Sequence, residues 1–456
     1  MKRLAALALF LLALLPLSSP AQVAPAYQAR AQQLLPLLAR DGGEQDFFSN
    51  LFLTAVPVNQ WRALTADLRR QYGEPQSLGS VRQNGPTAGQ VEVRYERATV
   101  GFTLVIAPEA PGRVIGLQIV GAKQANDSLI KVIDDLEALP GQTAFAIARL
   151  TDGGPQWIAT REPDRQMATG SSFKLYVLAE LARAVEAGER RWDDVIPLSH
   201  KSFSGRLMTW PAHAPMTFHS LATAMIAESD NSAADTLLVA LGREKVDAIL
   251  PHTGHAKADA ALPILTTAEA FALKMPAHAT LRQSYARATP GQRRALLRDN
   301  AARLDAKTVD IGSVAETPAH IDSLEWFASP QDEVALLDWL RGHGGEALPI
   351  MAVNPGIAPA DAARWRYLGY KGGSEPGVLA MNFLAQAKDG IWYAVTGSWN
   401  NTAARLDERR FVALMTRALN LLAGTSQEQR ETVQPIPPKP RPAPSPSSAA
   451  IGAAAR

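Results

Sequence analysis

The chain has 456 residues, 46% of them hydrophobic and 20% charged, and a formal net charge of only +2. That length accommodates two or three domains, and Lys and Arg are spread along it without clustering, which excludes the electrostatic footprint of a nucleic-acid-binding protein. There is no cysteine, which excludes a lipoprotein anchor, disulfides, thiolate metal sites and a cysteine nucleophile. No metal and no cofactor is expected.

Met1-Lys2-Arg3 precedes an apolar run from Leu4 to Leu17, and Ser18-Ser19-Pro20-Ala21 follows. A basic start, a short apolar stretch and small residues at a cut site read as a secretory signal peptide over residues 1–21, cleaved after Ala21 or after Ala26. The run is short for a membrane span, and no later segment is long and apolar enough, so no span is expected after cleavage. The expected location is the periplasm or the outside of the cell.

Residues 27–122 read as a small α+β domain. Leu34-Leu35, Leu37-Leu38, Phe47-Phe48 and Leu51-Phe52 are spaced as in helices, and Trp61, Leu64 and Leu68 continue the pattern. Gly73 is the expected C-cap. The period then changes to two, at Val91/Val93/Tyr95, at Val100/Phe102/Leu104/Ile106 and at Ile115/Leu117/Ile119, the mark of an antiparallel meander. Residues 123–140 read as a helical linker. A second domain, 141–424, opens with two strand-like pieces around Asp152-Gly153-Gly154, has a helical middle, and closes with strands separated by Asp389-Gly390, a hairpin signal. Strands at both ends of this domain predict one sheet completed by both. From residue 425 the chain is rich in Pro, Ser and Ala and is expected to be disordered.

Three short stretches carry chemistry. In Gly170-Ser171-Ser172-Phe173-Lys174, the apolar residues Leu178, Leu181 and Val185 downstream predict a helix that starts at the serine, so Ser171 and Lys174 share a face. A serine hydroxyl is a weak nucleophile until a neighbour accepts its proton. A neutral lysine can do so if burial and a nearby cation lower its pKa. Ser229-Asp230-Asn231 lies between two helical stretches, where a Ser hydroxyl can relay a proton and an Asn amide can hold a substrate carbonyl and a lysine. Lys371-Gly372-Gly373-Ser374 precedes an apolar strand. Its glycines, Gly373 among them, leave the backbone open to a ligand that pairs like an added strand. Lys371 would add positive charge, and Ser374 would offer an N–H and a hydroxyl. Trp210, before Pro211, is a candidate gate residue, with packing as the alternative.

Taken singly these stretches are common. In this order and spacing they resemble the motif set of class A β-lactamases and penicillin-binding proteins. The fold implied for residues 141–424 is the serine β-lactamase/penicillin-binding-protein fold, an antiparallel sheet with a helical domain. A signal peptide and a small domain of nuclear-transport-factor-2-like or steroid-isomerase-like element order further resemble the two-domain serine esterase of clavulanic-acid gene clusters. The stretches 265–269 and 320–330 also look like that group. The resemblance implies catalytic roles for Ser171, Lys174, Ser229 and Lys371, and substrate contacts for Asn231, Gly373 and Ser374. The implied partner is a small-molecule β-lactam or ester, or a peptidoglycan peptide.

Two departures stand out. Only about 35 residues separate Asn231 from Thr266-Thr267, and no Glu-X-X-Leu-Asn segment lies between them, so the usual deacylating Glu is missing. Glu269 lies past the Thr pair and is expected on an exposed helix surface. Gly372 stands where the resemblance calls for Thr. The stretch 280–325 is longer than the resemblance calls for and is a candidate extra lobe over the site. The expected activity is therefore acylation of Ser171 with slow deacylation. The alternatives are a D-alanyl-D-alanine carboxypeptidase or a non-enzymatic β-lactam sensor.

Overall fold

The computed structural model describes residues 23–125 and 127–424. The expected signal peptide and the Pro/Ser/Ala-rich tail lie outside the described residues. Two units divide the chain after Asp127.

In the first unit, helix α1 (Pro25–Ala39) starts on a proline whose fixed φ suits a first helical turn. Two short helices, Glu44–Phe47 and Asn50–Ala55, and helix α2 (Val58–Tyr72) follow. Gly73 ends α2 at φ +82°, a backbone state that costs glycine little. Strands β1 (Pro75–Gln83), β2 (Ala88–Tyr95), β3 (Ala98–Ile106) and β4 (Val114–Gln124) form an antiparallel sheet in that order. Leu34, Phe48, Trp61, Val93 and Phe102 pack into one core. Strand β1 is not announced by alternation, since only Leu78 and Val81 are apolar. Strand β4 forms, but Ile115 and Ile119 are exposed and Val114 is the buried residue. A bulge between Val105 and Ile106 shifts the pairing there, and a one-residue shift exchanges the two faces.

The second unit begins with helix α3 (Leu129–Glu137), whose Val132, Ile133 and Leu136 are buried in that unit's core. The span read as a linker is thus largely a packed element. Strands β5 (Gln142–Thr151) and β6 (Gly154–Arg161) form a hairpin. Helices α4 (Lys174–Glu186), α5 (Phe218–Ala227), α6 (Asn231–Leu241), α7 (Thr267–Lys274) and α8 (Pro330–His343) make up most of the helical middle. Strands β7 (Tyr367–Glu375), β8 (Val378–Gln386) and β9 (Trp392–Asn400) and helix α9 (Glu408–Gly424) close the unit. The five strands pair antiparallel in the order β7-β8-β9-β5-β6, so both ends of the unit supply one sheet.

Alternation along β5 shows how the layers form. Phe145 and Ile147 face α3 and α9, while Ala146 and Ala148 face the helical middle. The small residues on that second face let the helix bearing the Ser171 turn approach the sheet. The long stretch after α7 is helical, at Ala279–Arg287, Pro290–Asp299 and Ile311–Ala315. Tyr285, Leu297 and Leu304 join the helical core, and Arg294 pairs with Asp247 at 2.6 Å. These contacts dock it on the helices beyond α6 and give it a role in packing. Among the described residues, no helix is long and apolar enough to cross a membrane.

Candidate active site

Ser171 lies in a tight 3-10 turn, Gly170–Phe173, that runs directly into α4. The turn is fixed on three sides. Thr169 donates to the Trp326 carbonyl from both its N–H (3.0 Å) and its hydroxyl (2.9 Å). The Phe173 ring stacks on Trp326 with centroids 4.3 Å apart. Buried Asn382 on β8 donates to Ser172 Oγ at 3.0 Å. Ser171 itself is half-buried.

Lys174, one turn on, is fully buried. Its Nζ donates to the Ser229 carbonyl (2.6 Å), Asn231 Oδ1 (2.6 Å) and Ser229 Oγ (3.2 Å). Burial lowers its pKa to about 7, against the raising influence of Asp235 and Asp230. At neutral pH a large fraction is therefore free amine. A neutral amine has two N–H donors and one lone pair. The Ser229 carbonyl and Asn231 Oδ1 can take the two donors, which leaves the lone pair for a hydroxyl. Ser171 Oγ makes no hydrogen bond among the described residues, and catalytic hydrogen bonds often tighten only once substrate is bound.

The Ser229–Asn231 turn delivers these acceptors through strained backbone. Ser229 has φ +57°, a left-handed conformation that costs a non-glycine residue on the order of 1–3 kcal/mol. Asp230 pays for it: fully buried, it accepts from Leu207 N–H (2.8 Å) and caps α6 through Ala233 N–H (2.9 Å). The strain turns both Ser229 oxygens toward Lys174. Asn231 is oriented by donating to Ser204 Oγ at 2.7 Å.

Lys371 on β7 completes the group. Its Nζ donates to Ser229 Oγ at 3.0 Å and to the Gly372 carbonyl, so the Ser229 hydroxyl bridges both lysines. Burial and then the charge of Lys174 hold Lys371 well below the ordinary lysine range. The fall at Lys174 thus comes first from burial rather than from a neighbouring cation, and loss of the Lys174 proton relieves Lys371.

Among the described residues, strand β7 is at the sheet edge and one side of its backbone has no strand partner. The Ser171 turn lies against this strand. A Cβ added to Gly373 would stand 2.5 Å from Ser171 N and would overlap the Thr169 carbonyl; one added to Gly170 would stand 3.2 Å from Ser374 N. Only bare backbone fits at Gly373, and the Ser171 and Ser374 amides come to the same crevice. Gly372 is explained by Tyr370, whose hydroxyl occupies the space that a Cβ at 372 would need.

The structure therefore brings together Ser171, Lys174, Ser229, Asn231, Lys371, Gly373 and Ser374. Trp210 stands apart. It is half-buried, 5.7 Å under the Arg206 guanidinium, and its carbonyl accepts from Lys201. Among the described residues, no hydrogen bond or ring contact joins it to Ser171, Lys174 or Lys371. Glu269 is not exposed surface. Its side chain forms a capping box with Thr266 and a two-pronged pair with Arg243 at 2.7 and 2.9 Å.

Asp235 was not apparent as a site residue, although it lies one helical turn after Asn231 on α6. It is buried and pushed up to about 6 by burial, and it accepts from Thr267 N–H and hydroxyl (both 2.7 Å) and Ala268 N–H (3.1 Å). Because its anion raises Lys174, Asp235→Asn is expected to move the acid limb of any Lys174-dependent reaction below pH 7; a pH–rate profile with that limb unmoved counts against the coupling.

Residues 127–298 match the beta-lactamase enzyme family. The matched span holds Ser171, Lys174, Ser229 and Asn231 and ends before Lys371. The beta-lactamase from Sphaerobacter thermophilus DSM 20745 is similar in structure at 18% identity and a TM-score of 0.46, over 65% of this chain and 97% of that one. A penicillin-binding protein, PBP-A, is similar at 13% identity and a TM-score of 0.45, over 65% and 94%. A beta-lactamase from Chitinophaga pinensis DSM 2588 is similar at 16% identity and a TM-score of 0.45, over 65% and 98%. No curated protein matches the sequence.

Proposed function

We propose that the protein is an exported active-site-serine hydrolase, acylated on Ser171 by β-lactams or related esters, that releases the acyl group slowly. The observation that carries this reading is the buried Lys174 amine, held by Ser229 and Asn231 on the same helical face as Ser171. Neutral Lys174 takes the Ser171 proton as Oγ attacks the carbonyl carbon. The bridging Ser229 hydroxyl relays a proton to the leaving group. The Ser171 and Ser374 N–H groups receive the developing oxyanion, and Lys371 with the Ser374 hydroxyl receives a substrate carboxylate. The open edge of β7 suits an amide-bearing substrate that lies alongside as an added strand, and Asn231 holds its carbonyl.

The commitments of the carboxylates nearby support slow release. Glu269 is committed to its helix cap and to Arg243, and Asp235 to three donors. Neither is free to take a proton from a deacylating water, a contribution worth about a hundred- to ten-thousandfold. The small first unit, with its helices and four-stranded meander, is read as a steroid-isomerase-like scaffold, as in the two-domain esterase of clavulanic-acid clusters. Periplasmic or secreted location rests on the N-terminal signal pattern.

The test is the intact mass of the mature protein over time with benzylpenicillin and with a cephalosporin. A persistent adduct that disappears in Ser171→Ala is expected. No adduct at all rejects the acylation reading, and an adduct retained in Ser171→Ala rejects Ser171 as nucleophile. Turnover of an acyl-D-alanyl-D-alanine peptide without a lasting adduct would favour the carboxypeptidase reading.

A further inference from the structure

Lys274 at the end of α7 is fully buried between two carboxylates, with Nζ 2.5 Å from both Glu325 Oε1 and Glu375 Oε1. The side chains of Lys274 and Glu325 are 0% exposed and that of Glu375 is 8% exposed. Burying such a group is costly, and packing alone does not require it. Three separate segments meet here: α7, the residue before Trp326, and the outer end of β7.

The cluster adjoins the Ser171 site through β7. Glu375 directly follows Ser374 and lies on the same face of β7 as Lys371 and Gly373, about 7 Å along the strand from Gly373. From the other side, Lys274 Nζ sits 5.0 Å from the Phe271 ring centroid, and Phe271 packs on Phe203 at 4.8 Å. The neighbour of Phe203 is Ser204, which orients Asn231. Contacts thus run unbroken from Asn231 around to Ser374.

The charge of this cluster depends on one proton. Both carboxylates meet the same buried ammonium through Oε1 atoms 2.5 Å from it, which brings two like charges together out of water, and a proton taken up by one of them makes the cluster neutral. Burial, and then Glu325, hold Glu375 well above the usual carboxylate range. Lys274 is held above its ordinary value because the two carboxylates outweigh its burial. With the proton in place the cluster is neutral; without it, the cluster carries one negative charge. The other charged or titratable groups around it are Arg282, His320 and Asp322, which share the field of Lys274, and Lys371 on the same strand.

We infer that Lys274, Glu325 and Glu375 act as a charge selector for the Ser171 cleft. While the two carboxyls share a proton the cleft admits anionic substrates, and once the proton leaves it disfavours them. This rests on the serine-acylation reading above. The three are positioning residues: they act on the substrate's charge through the end of the cleft that Ser374 lines.

The test compares anionic nitrocefin with neutral p-nitrophenyl acetate between pH 6 and 10, in the wild type and in Glu375→Gln and Glu325→Gln. Glutamine reproduces the shape of the protonated acid, and either variant leaves one carboxylate opposite Lys274. In the wild type, KM for nitrocefin is expected to rise with pH relative to the neutral ester. In Glu375→Gln the rise should be smaller by on the order of tenfold at pH 10, the effect of one unit charge at about 10 Å. The difference falls on KM rather than kcat. An identical rise in wild type and both variants overturns the inference. If neither compound modifies Ser171, it is the acylation reading that fails, and the cluster is then read by thermal unfolding. A carboxyl held above its unfolded pKa contributes stability at low pH that is lost as pH rises through the folded value. The wild type should therefore lose Tm relative to Glu375→Gln as pH rises, and parallel Tm curves overturn the shared proton and the inference with it.

Discussion

Lys174→Met is expected to slow acylation of Ser171 by benzylpenicillin on the order of a thousandfold, within the range for loss of a positioned proton acceptor. The wild-type rate should itself fall about tenfold per pH unit below about pH 7. The sign follows from burial. Lys174 is lowered to about 7, so below that pH it is an ammonium and has no lone pair for the Ser171 proton. Above it the amine is free and the rate levels off, until Lys371, itself depressed, stops offering charge to the substrate carboxylate. Methionine fills the same buried volume without a charge. It leaves the Ser229 carbonyl and Asn231 Oδ1 without their donor, at about 1–3 kcal/mol for each buried acceptor. Time courses of intact mass between pH 5 and 9, with Tm measured alongside, separate lost chemistry from lost fold. A folded Lys174→Met variant that acylates at the wild-type rate would remove Lys174 as the base.

Much of this site is legible in the sequence because each motif marks a change of local structure. The Ser171 turn precedes a helix whose apolar residues repeat at helical spacing. Ser229–Asn231 falls where one helix ends and the next is capped by Asp230. The Lys371 strand is announced by the run Val378 to Leu384 that pairs with it. The sheet is legible for a related reason: Asp389-Gly390 and Asp152-Gly153-Gly154 are turn signals between β-rich runs. What the sequence does not show depends on tertiary meeting. Lys274, Glu325 and Glu375 are spread over about a hundred residues and belong to no motif. Glu269 reads as helix surface because its partner Arg243 belongs to another helix. The reading of α3 as linker has the same cause, since the core that buries Val132 and Leu136 includes Phe411 and Leu414, far along the chain. Strand β4 shows that period two finds a strand but leaves open which face is core, because a bulge within β4 itself, where Ile115 is the extra residue opposite Val105 and Ile106, decides it.

Gly373→Ala should be the most damaging single methyl group in the second unit. Its Cβ would overlap the Thr169 carbonyl and stand 2.5 Å from Ser171 N and 2.8 Å from Ser172 N. All three are backbone atoms of the turn that carries the nucleophile, and that turn is already held by Trp326 and Asn382, so no side chain can rotate away. Either β7 withdraws or the Ser171 turn does, and in both cases the Ser171 and Ser374 amides separate. Loss of one oxyanion donor costs about a hundred- to a thousandfold in rate, and forced overpacking costs about 1–3 kcal/mol in stability. Gly372→Ala is the control. There the new methyl meets mainly the Tyr370 ring tip, the end of a side chain, with the Ala380 carbonyl at 2.9 Å. A smaller loss of rate is expected at 372, because the atoms nearest its added Cβ belong to Tyr370 and Ala380 and not to the Ser171 turn. Acylation rates and Tm for the two variants decide the matter. Equal losses at both positions would mean that the contact between β7 and the Ser171 turn does not position the oxyanion donors.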